Sequence, residues 1–371
     1  MAEAYNMVSM GASSGDSTEN VETPDEVRKI QFSGKSSYML ALPKKWVEEM
    51  SMGAGDQVVV KRQGDTSLLI MAKSARPAGS KTEVLIEVAS EEKPHSIARR
   101  LISVYLLGHN AIRVNGRGGA LTTAQRAAVK ETMRRHLIGT ETIADSAQGV
   151  TLQVLLSYPE LDVKTVMRRM FLIATSMHRD AMNALKDLDR DAAEGIVKTD
   201  DEVDRFSLYA IRQLNIAVQN EFILKEIGLD TRRDCLDYRL IVKSVERVAD
   251  HATKIAEGIQ SFVRPVNASL VTKVREMSDF AVNLFEGAGL ALFKGDYHAA
   301  DKVVEEARRA AEMQKHLLNA LEKVKSPGSS HVWPLIIEDV RRTADYSADI
   351  AEIVINMVTE RAVTKEERVK T

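Results

Sequence analysis

Residues 244–259 read SVERVADHATKIAEGI, and 95 residues later residues 339–354 read DVRRTADYSADIAEIV. Val245/Val340, Arg247/Arg342, Ala249/Ala344, Asp250/Asp345, Ile255/Ile350, Ala256/Ala351 and Glu257/Glu352 are identical and in register. Identities recurring at steps of three and four mark one helix used twice. Around each copy the helical period persists, giving expected helices at 163–188, 203–227 and 238–262, then at 271–293, 299–324 and 332–358. Short connections at 228–230, 294–296 and 326–328 join them. Residues 161–263 and 268–360 are therefore expected to form two tandem three-helix bundles.

The repeated helix also carries chemistry. Glu246 and Asp250 are four residues apart and project from one face. Asp200 and Asp204, in KTDDEVDRF at 198–206, have the same spacing. If their helices pack antiparallel, four carboxylates converge, which requires a cation, a basic partner or protonation. An all-oxygen set suits iron, manganese or magnesium better than a thiolate-seeking metal. Arg205, Arg247 and Lys254 are the bases that could satisfy these acids by ion pairing instead. In the second copy Arg341 stands in the place of Glu246, and the nearest acidic pair on the preceding helix is Asp301/Glu305. There Arg341 puts a positive charge where a cation would sit, and can neutralise Asp345 directly. Of the nearby histidines, His178, His251 and His298, none forms an E-x-x-H pair with a bundle glutamate, which argues against a ferritin-like di-iron oxidase. No nucleophile–base pair is evident, so no catalytic residue is assigned.

At 371 residues the chain has room for several domains. No apolar run approaches the roughly 20 residues needed to span a bilayer, and the N-terminus lacks a signal-peptide pattern, so a cytoplasmic location without membrane insertion is expected. The single cysteine, Cys235, excludes an internal disulfide framework and reads as packing. The net charge of −2 is unevenly spread. Residues 1–25 hold five acids and no base and read as a disordered acidic tail; residues 26–76 hold nine Lys/Arg against five Asp/Glu.

Residues 26–76 have the pattern of short strands (27–32, 38–42, 57–62, 67–71), turns at 33–34, 53–56 and 64–65, and one short helix after Pro43. So small a module buries little apolar surface alone and is expected to dimerise. A linker follows at 76–80. Residues 80–158 alternate strand (83–88, 111–114, 150–156) with helix (94–107, 122–137), a small α/β domain with Thr122 or Thr123 as N-cap. Within it Arg126, Lys130 and Arg134 make a basic stripe read as a solvated face. The run Gly116 to Gly119 lacks the lysine and Ser/Thr of a nucleotide loop and reads as a turn.

Two stretches carry resemblances. VRKIQFSGKSSYMLALPKKWVEEMSMGAGDQVVVKRQGDTSLLIMAK, with Gly34-Lys35, Leu42-Pro43-Lys44 and Gly55-Asp56 before Val58 to Val60, resembles the swapped-hairpin AbrB-type DNA-binding domain. That resemblance implies an interlocked homodimer presenting bases to DNA, here Arg28, Lys29, Lys35, Lys44 and Lys45. The helical half resembles the PhoU family of phosphate-uptake regulators: Asp200-Asp201-Glu202-Val203-Asp204 is similar to its D-x-x-x-D motif, and Glu246-Arg247-Val248-Ala249-Asp250-His251-Ala252 to its E-R-I-G-D-H-A signature. It implies paired three-helix bundles, oxygen-ligated metal at Asp200, Asp204, Glu246 and Asp250, and a phosphate-transporter ATPase or sensor kinase as partner. The combination resembles archaeal PhoU-like proteins, implying an archaeal source. The expected fold is thus mainly α, with a swapped-hairpin β module, a small α/β domain and two bundles. The expected function is a phosphate-responsive DNA-binding regulator of phosphate uptake; a dimeric adaptor without DNA binding and a metal-carboxylate enzyme are the competing classes.

Overall fold

The computed structural model describes residues 26–34, 36–63, 66–72, 83–155, 161–262, 267–322 and 331–369. The acidic segment 1–25, Lys35, the turn at 64–65, the linker at 76–80 and the connection at 326–328 lie outside the described residues. The chain divides into two compact units, Met1–Arg76 and Pro77–Thr371.

In the first unit Gln31–Ser33 (β1) and Ser37–Met39 (β2) pair antiparallel. Gly34 turns between them at φ 71°, a conformation that a Cβ disfavours. Lys44–Glu49 (α1) follows Pro43, and Val58–Gln63 (β3) pairs antiparallel with Ser67–Ala72 (β4). The first two strands are shorter than the sequence pattern suggests. With only three rungs available within one chain, residues 27–30 and 40–42 stay unpaired, and their apolar side chains are in solvent. Val27 is 97% exposed, Phe32 61% and Tyr38 68%, although the two rings meet edge to face at 5.2 Å. Among the described residues of this unit only Pro43 is buried. Two separate hairpins and a six-residue helix close no core.

The second unit begins with an α/β layer: Glu83–Val88 (β5), Pro94–Leu106 (α2), Ala111–Gly116 (β6), Thr123–His136 (α3), Thr140–Asp145 (β7) and Gly149–Val154 (β8). The sheet order is β5-β6-β8-β7, with β5 and β6 parallel and the other pairs antiparallel. Alternation buries Ile86, Val88, Ile112, Val114, Val150 and Leu152 in the core shared with Ile97, Leu101, Tyr105 and Val129 of the helices. The sequence pattern missed β7. It is an edge strand with one large apolar residue, Ile143, and an irregularity between Thr142 and Ala144 that breaks its alternation. Thr122 caps α3 through a capping box with Gln125. The basic stripe on α3 is not simply solvated, because Arg126 (2.5 Å) and Lys130 both pair with Asp145 of β7.

Val163–Asp187 (α4), Arg190–Gln219 (α5), Glu221–Glu226 (α6) and Arg232–Gln260 (α7) form the first bundle; Ala268–Lys294 (α8), Tyr297–Ala307 (α9), Arg309–Glu322 (α10) and Val332–Val369 (α11) form the second. The middle helix of the first bundle starts at Arg190 rather than 203. Asp189 caps it by accepting from Ala192 N at 2.9 Å, and burial of Ala193 and Ile196 outweighs the roughly 1 kcal/mol cost of Gly195 within a helix. That helix then breaks at Asn220, whose side chain accepts from Phe222 N and Ile223 N and starts α6. The expected helix at 299–324 is likewise two, α9 and α10. The last helix runs on past 358 to Val369, and Pro334 is tolerated because it lies in the first turn.

The bundles share one core. Phe171 of α4 stacks on Phe285 of α8 at 4.6 Å, and a Cβ at Gly289 would come within 3.0 Å of the Phe171 ring, so glycine permits that close approach. Buried polar contacts also cross between the bundles: His251 Nδ1 of α7 to Asp339 Oδ1 of α11 at 2.7 Å, and Ser278 Oγ of α8 to His178 Nδ1 of α4 at 3.1 Å. The α/β layer is fastened to a second face of α5. Arg212, 1% exposed, donates to the Tyr105 carbonyl, to Gly108 O at 3.1 Å and to Asn110 Oδ1 at 2.8 Å, while Asn215 donates to Leu106 O at 2.9 Å. These acceptors lie in the last turn of α2 and in the residues just after it, where carbonyls lack helical partners of their own. Arg135 of α3 grips Asp201 with both distances at 2.8 Å. Among the described residues no helix is long and apolar enough to cross a membrane.

Candidate functional site

The helical period of α5 and α7 turns Asp200, Asp204, Glu246 and Asp250 toward one another. Asp200 feels Asp204 and Asp250, whereas Asp204 lies with Glu246 and Asp250, as an antiparallel pair of helices requires. Asp204, Glu246 and Asp250 each offer a carboxylate oxygen, and these atoms all lie within 4.8 Å of one another. Asp200 stands beside this trio rather than within it. Among the described residues this is the one such group.

Packed between helices, the acids are strained electrostatically. Burial first, then the charges of Asp204 and Asp250, push the Asp200 carboxyl from 3.8 up to about 7. Burial followed by Asp250 raises Asp204, and burial raises Glu246 against the opposing hydrogen bond from Lys243. Asp200 Oδ1 and Glu246 Oε2 are buried without a hydrogen-bond partner. Orphaned carboxylate oxygens beside a compact all-oxygen trio fit a hard or borderline cation, which supplies the positive charge they lack.

The three bases that could have satisfied these acids by ion pairing form no ion pair with them among the described residues. Arg205 follows Asp204 by one residue, hence about 100° around the helix, and acts on His136 instead. Arg247 lies over the Tyr346 ring at 5.5 Å, and Lys254 pairs with none of the four acids among the described residues. The one base that does pair is Lys243, bonded to Glu246 Oε1, and it leaves Glu246 Oε2 and Asp200 Oδ1 without a partner. Its i,i+3 spacing to Glu246 in KSVE is the signal in the sequence that marks it. His178 is fully buried and held down to about 4 by desolvation, His251 is engaged by Asp339, and His298 packs on Tyr297, so none joins the trio.

In the second bundle the corresponding place is filled by protein charge. Arg341 donates from Nη1 to Asp345 Oδ2 at 2.7 Å and from Nη2 and Nε to Glu338 at 2.7 and 3.0 Å; Arg342 adds a contact to Asp345 at 3.2 Å. Glu338 falls below the usual carboxylate range through its hydrogen bond from Arg341. The acid that completes this cluster is Glu338, from the same helix, not Asp301 or Glu305.

In chelator-treated protein Asp200 keeps its proton to about 7 when folded, yet loses it near 3.8 when unfolded, so the unfolded state binds fewer protons between these values. Stability then falls as pH rises through that window. The melting temperature is expected to be a few degrees higher at pH 5 than at pH 8, and Asp200→Asn to flatten the difference. Equal pH dependence in the variant would show that another group is responsible.

Of the DNA-directed candidates, Arg28 pairs with Glu26, Lys29 is exposed, Lys44 sits 3.5 Å from Glu48 and Lys45 sits 3.8 Å from Glu49. All four are at the surface, and the two lysine pairs are solvent-exposed and therefore weak.

Residues 167–259 and 274–354 match the PhoU domain, and residues 31–78 match the domain described as antidote-toxin recognition MazE, bacterial antitoxin. A phosphate-specific transport system accessory protein PhoU homolog from Clostridium acetobutylicum is 23% identical over 202 residues, which is 53% of this chain and 90% of that protein. Among solved structures, the phosphate transport system regulatory protein PhoU from Streptococcus pneumoniae is similar at 18% identity and TM-score 0.45, covering 52% of this chain and 91% of that one. PhoU from Pseudomonas aeruginosa is similar at 20% identity and TM-score 0.47, covering 54% and 98%. The helical half of this chain is a tandem pair of PhoU domains, carried behind an N-terminal domain of the MazE/AbrB-like kind.

Proposed function

We propose that this protein is a phosphate-responsive regulator, acting in the cytoplasm as a homodimer, that binds DNA through residues 26–76 and represses phosphate uptake. The observation that carries the proposal is the union in one chain of a MazE/AbrB-like domain with two PhoU domains. Two features support it. The first unit leaves Val27, Ile30, Phe32, Tyr38 and Leu40 in solvent, as half of an interlocked pair must. It also carries an excess of Lys/Arg that suits phosphate contacts. The bundles transmit phosphate status, and their carboxylate trio holds iron, manganese or magnesium as a structural or sensing ion rather than a catalytic one.

The test is a DNA shift assay across salt. Affinity is expected to fall steeply as salt rises, because each phosphate neutralised releases counterion. Lys44→Ala with Lys45→Ala is expected to weaken binding several-fold and reduce the salt slope at unchanged melting temperature. Unchanged binding in this variant removes the two lysines from the interface, and absence of any DNA binding removes the reading itself. In that case the second reading stands: a dimeric adaptor whose bundles hold a transporter ATPase or sensor kinase. What favours it is that Glu48 and Glu49 follow Lys44 and Lys45 by one turn on the same helix, which lowers the net positive charge that this helix offers to DNA.

A further inference from the structure

We propose that the exposed face of α7 from Arg232 to Arg247 is a docking surface for an acidic, leucine-bearing helix of a partner protein. α7 packs against α4, α5 and α11, and along its face toward solvent run Arg232, Leu236, Arg239, Leu240, Lys243 and Arg247, with Arg233, paired to Glu360, at the edge of this stripe. At 100° per residue the first six fall within a sector of roughly 100°, spread along about 22 Å of helix.

Leu236 is 63% exposed and Leu240 58%, one turn apart. A helix face turned to water is ordinarily polar, and scattered surface leucines need no explanation. Two leucines stacked at i,i+4 and ringed by four cations have a different layout, an apolar centre within a charged rim. Among the described residues Arg232 and Arg239 form no ion pair, while Lys243 holds Glu246 and Arg247 lies over Tyr346. Two cations on the rim therefore remain open to a partner's acids.

The shape of the stripe selects the kind of partner. A helix laid along α7 can set leucines on Leu236 and Leu240 and carboxylates on the flanking cations in successive turns. A flat anionic bilayer fits less well, because it would also meet Glu360 beside Arg233 and the carboxylates just beyond Lys243. Nucleic acid would leave the leucine pair uncovered, since its backbone offers only anionic contacts.

The test uses the full chain and a labelled peptide of about 18 residues, helical, with leucines on one face and glutamates flanking them. A second peptide replaces every glutamate with lysine, and phosphatidylglycerol vesicles are the third probe. Fluorescence anisotropy is expected to show binding of the acidic peptide alone. Leu236→Ser with Leu240→Ser, and separately Arg239→Glu, are each expected to weaken it about tenfold or more while melting as wild type. Binding of the peptide to bases of the first unit is unaffected by either substitution and is thereby distinguished. If one variant misfolds, the other decides. Equal affinity for both peptides, unchanged affinity in the folded variants, or vesicle binding that is lost with the leucine pair would each overturn the proposal.

Discussion

Glu246→Ala combined with Asp250→Ala is expected to abolish cation binding by the protein, whereas Asp345→Ala is expected to leave it unchanged. The repeat supplies the control. Glu246 and Asp250 belong to a trio whose oxygens lie within 4.8 Å of one another, and Glu246 Oε2 has no hydrogen-bond partner. Asp345 occupies the equivalent position in the second copy, but Arg341 and Arg342 already satisfy it at 2.7 and 3.2 Å. A guanidinium is a fixed positive charge, so no ion is needed there. Elemental analysis after purification without chelator is expected to find iron, manganese or magnesium at no more than one cluster per chain. With the ion removed, the double substitution relieves like-charge repulsion and is expected to raise rather than lower stability. Metal that survives the double substitution, or is lost with Asp345→Ala, contradicts the assignment.

Arg212→Ala is expected to cost about 3–5 kcal/mol, lowering the melting temperature by roughly 5–10 °C. The side chain is 1% exposed, lies 4.7 Å over the Tyr105 ring and donates to the end of α2 and to Asn110. Its loss takes a charged donor from three acceptors at once, the Tyr105 and Gly108 carbonyls and Asn110 Oδ1, and empties the volume its stem had filled. Arg239→Ala, on the solvent face of α7, is the matched comparison and should lie within about 0.5 kcal/mol of wild type. Thermal melts of both variants check the contrast; equal effects would mean that Arg212 is not the fastening between the α/β layer and the bundles.

The contrast between these two arginines marks what was legible in the sequence. The repeat around Asp250 and Asp345 was readable because a helix buried on several sides imposes a strict apolar period, and that period gave the bundles and the carboxylate face together. The second face of α5 was not. Asp201, Arg205, Leu208, Arg212 and Asn215 look like a solvated stripe, yet α2 and α3 cover it, and no local pattern distinguishes polar residues facing water from polar residues facing another helix's carbonyls. Strand β7 was lost for a related reason, since an edge strand with one large apolar residue gives no alternation to detect. Capping chemistry decided the remaining differences. Asp189 started α5 early and Asn220 ended it, both within polar runs where several residues could have served. At the carboxylate cluster the acids followed from spacing, while the choice of Lys243 as their counter-charge depended on side-chain directions set by packing.

The most direct measurement is occupancy of DNA in the cell at two phosphate levels. Chromatin immunoprecipitation of the tagged full chain, from cells grown with abundant and with limiting phosphate, is expected to recover sequences upstream of phosphate-transport genes and to show occupancy that changes with phosphate. The Lys44→Ala, Lys45→Ala form is expected to recover several-fold less at both levels. Recovery of no specific DNA, or occupancy that is the same at both phosphate levels, contradicts a phosphate-responsive regulator that acts on promoters itself.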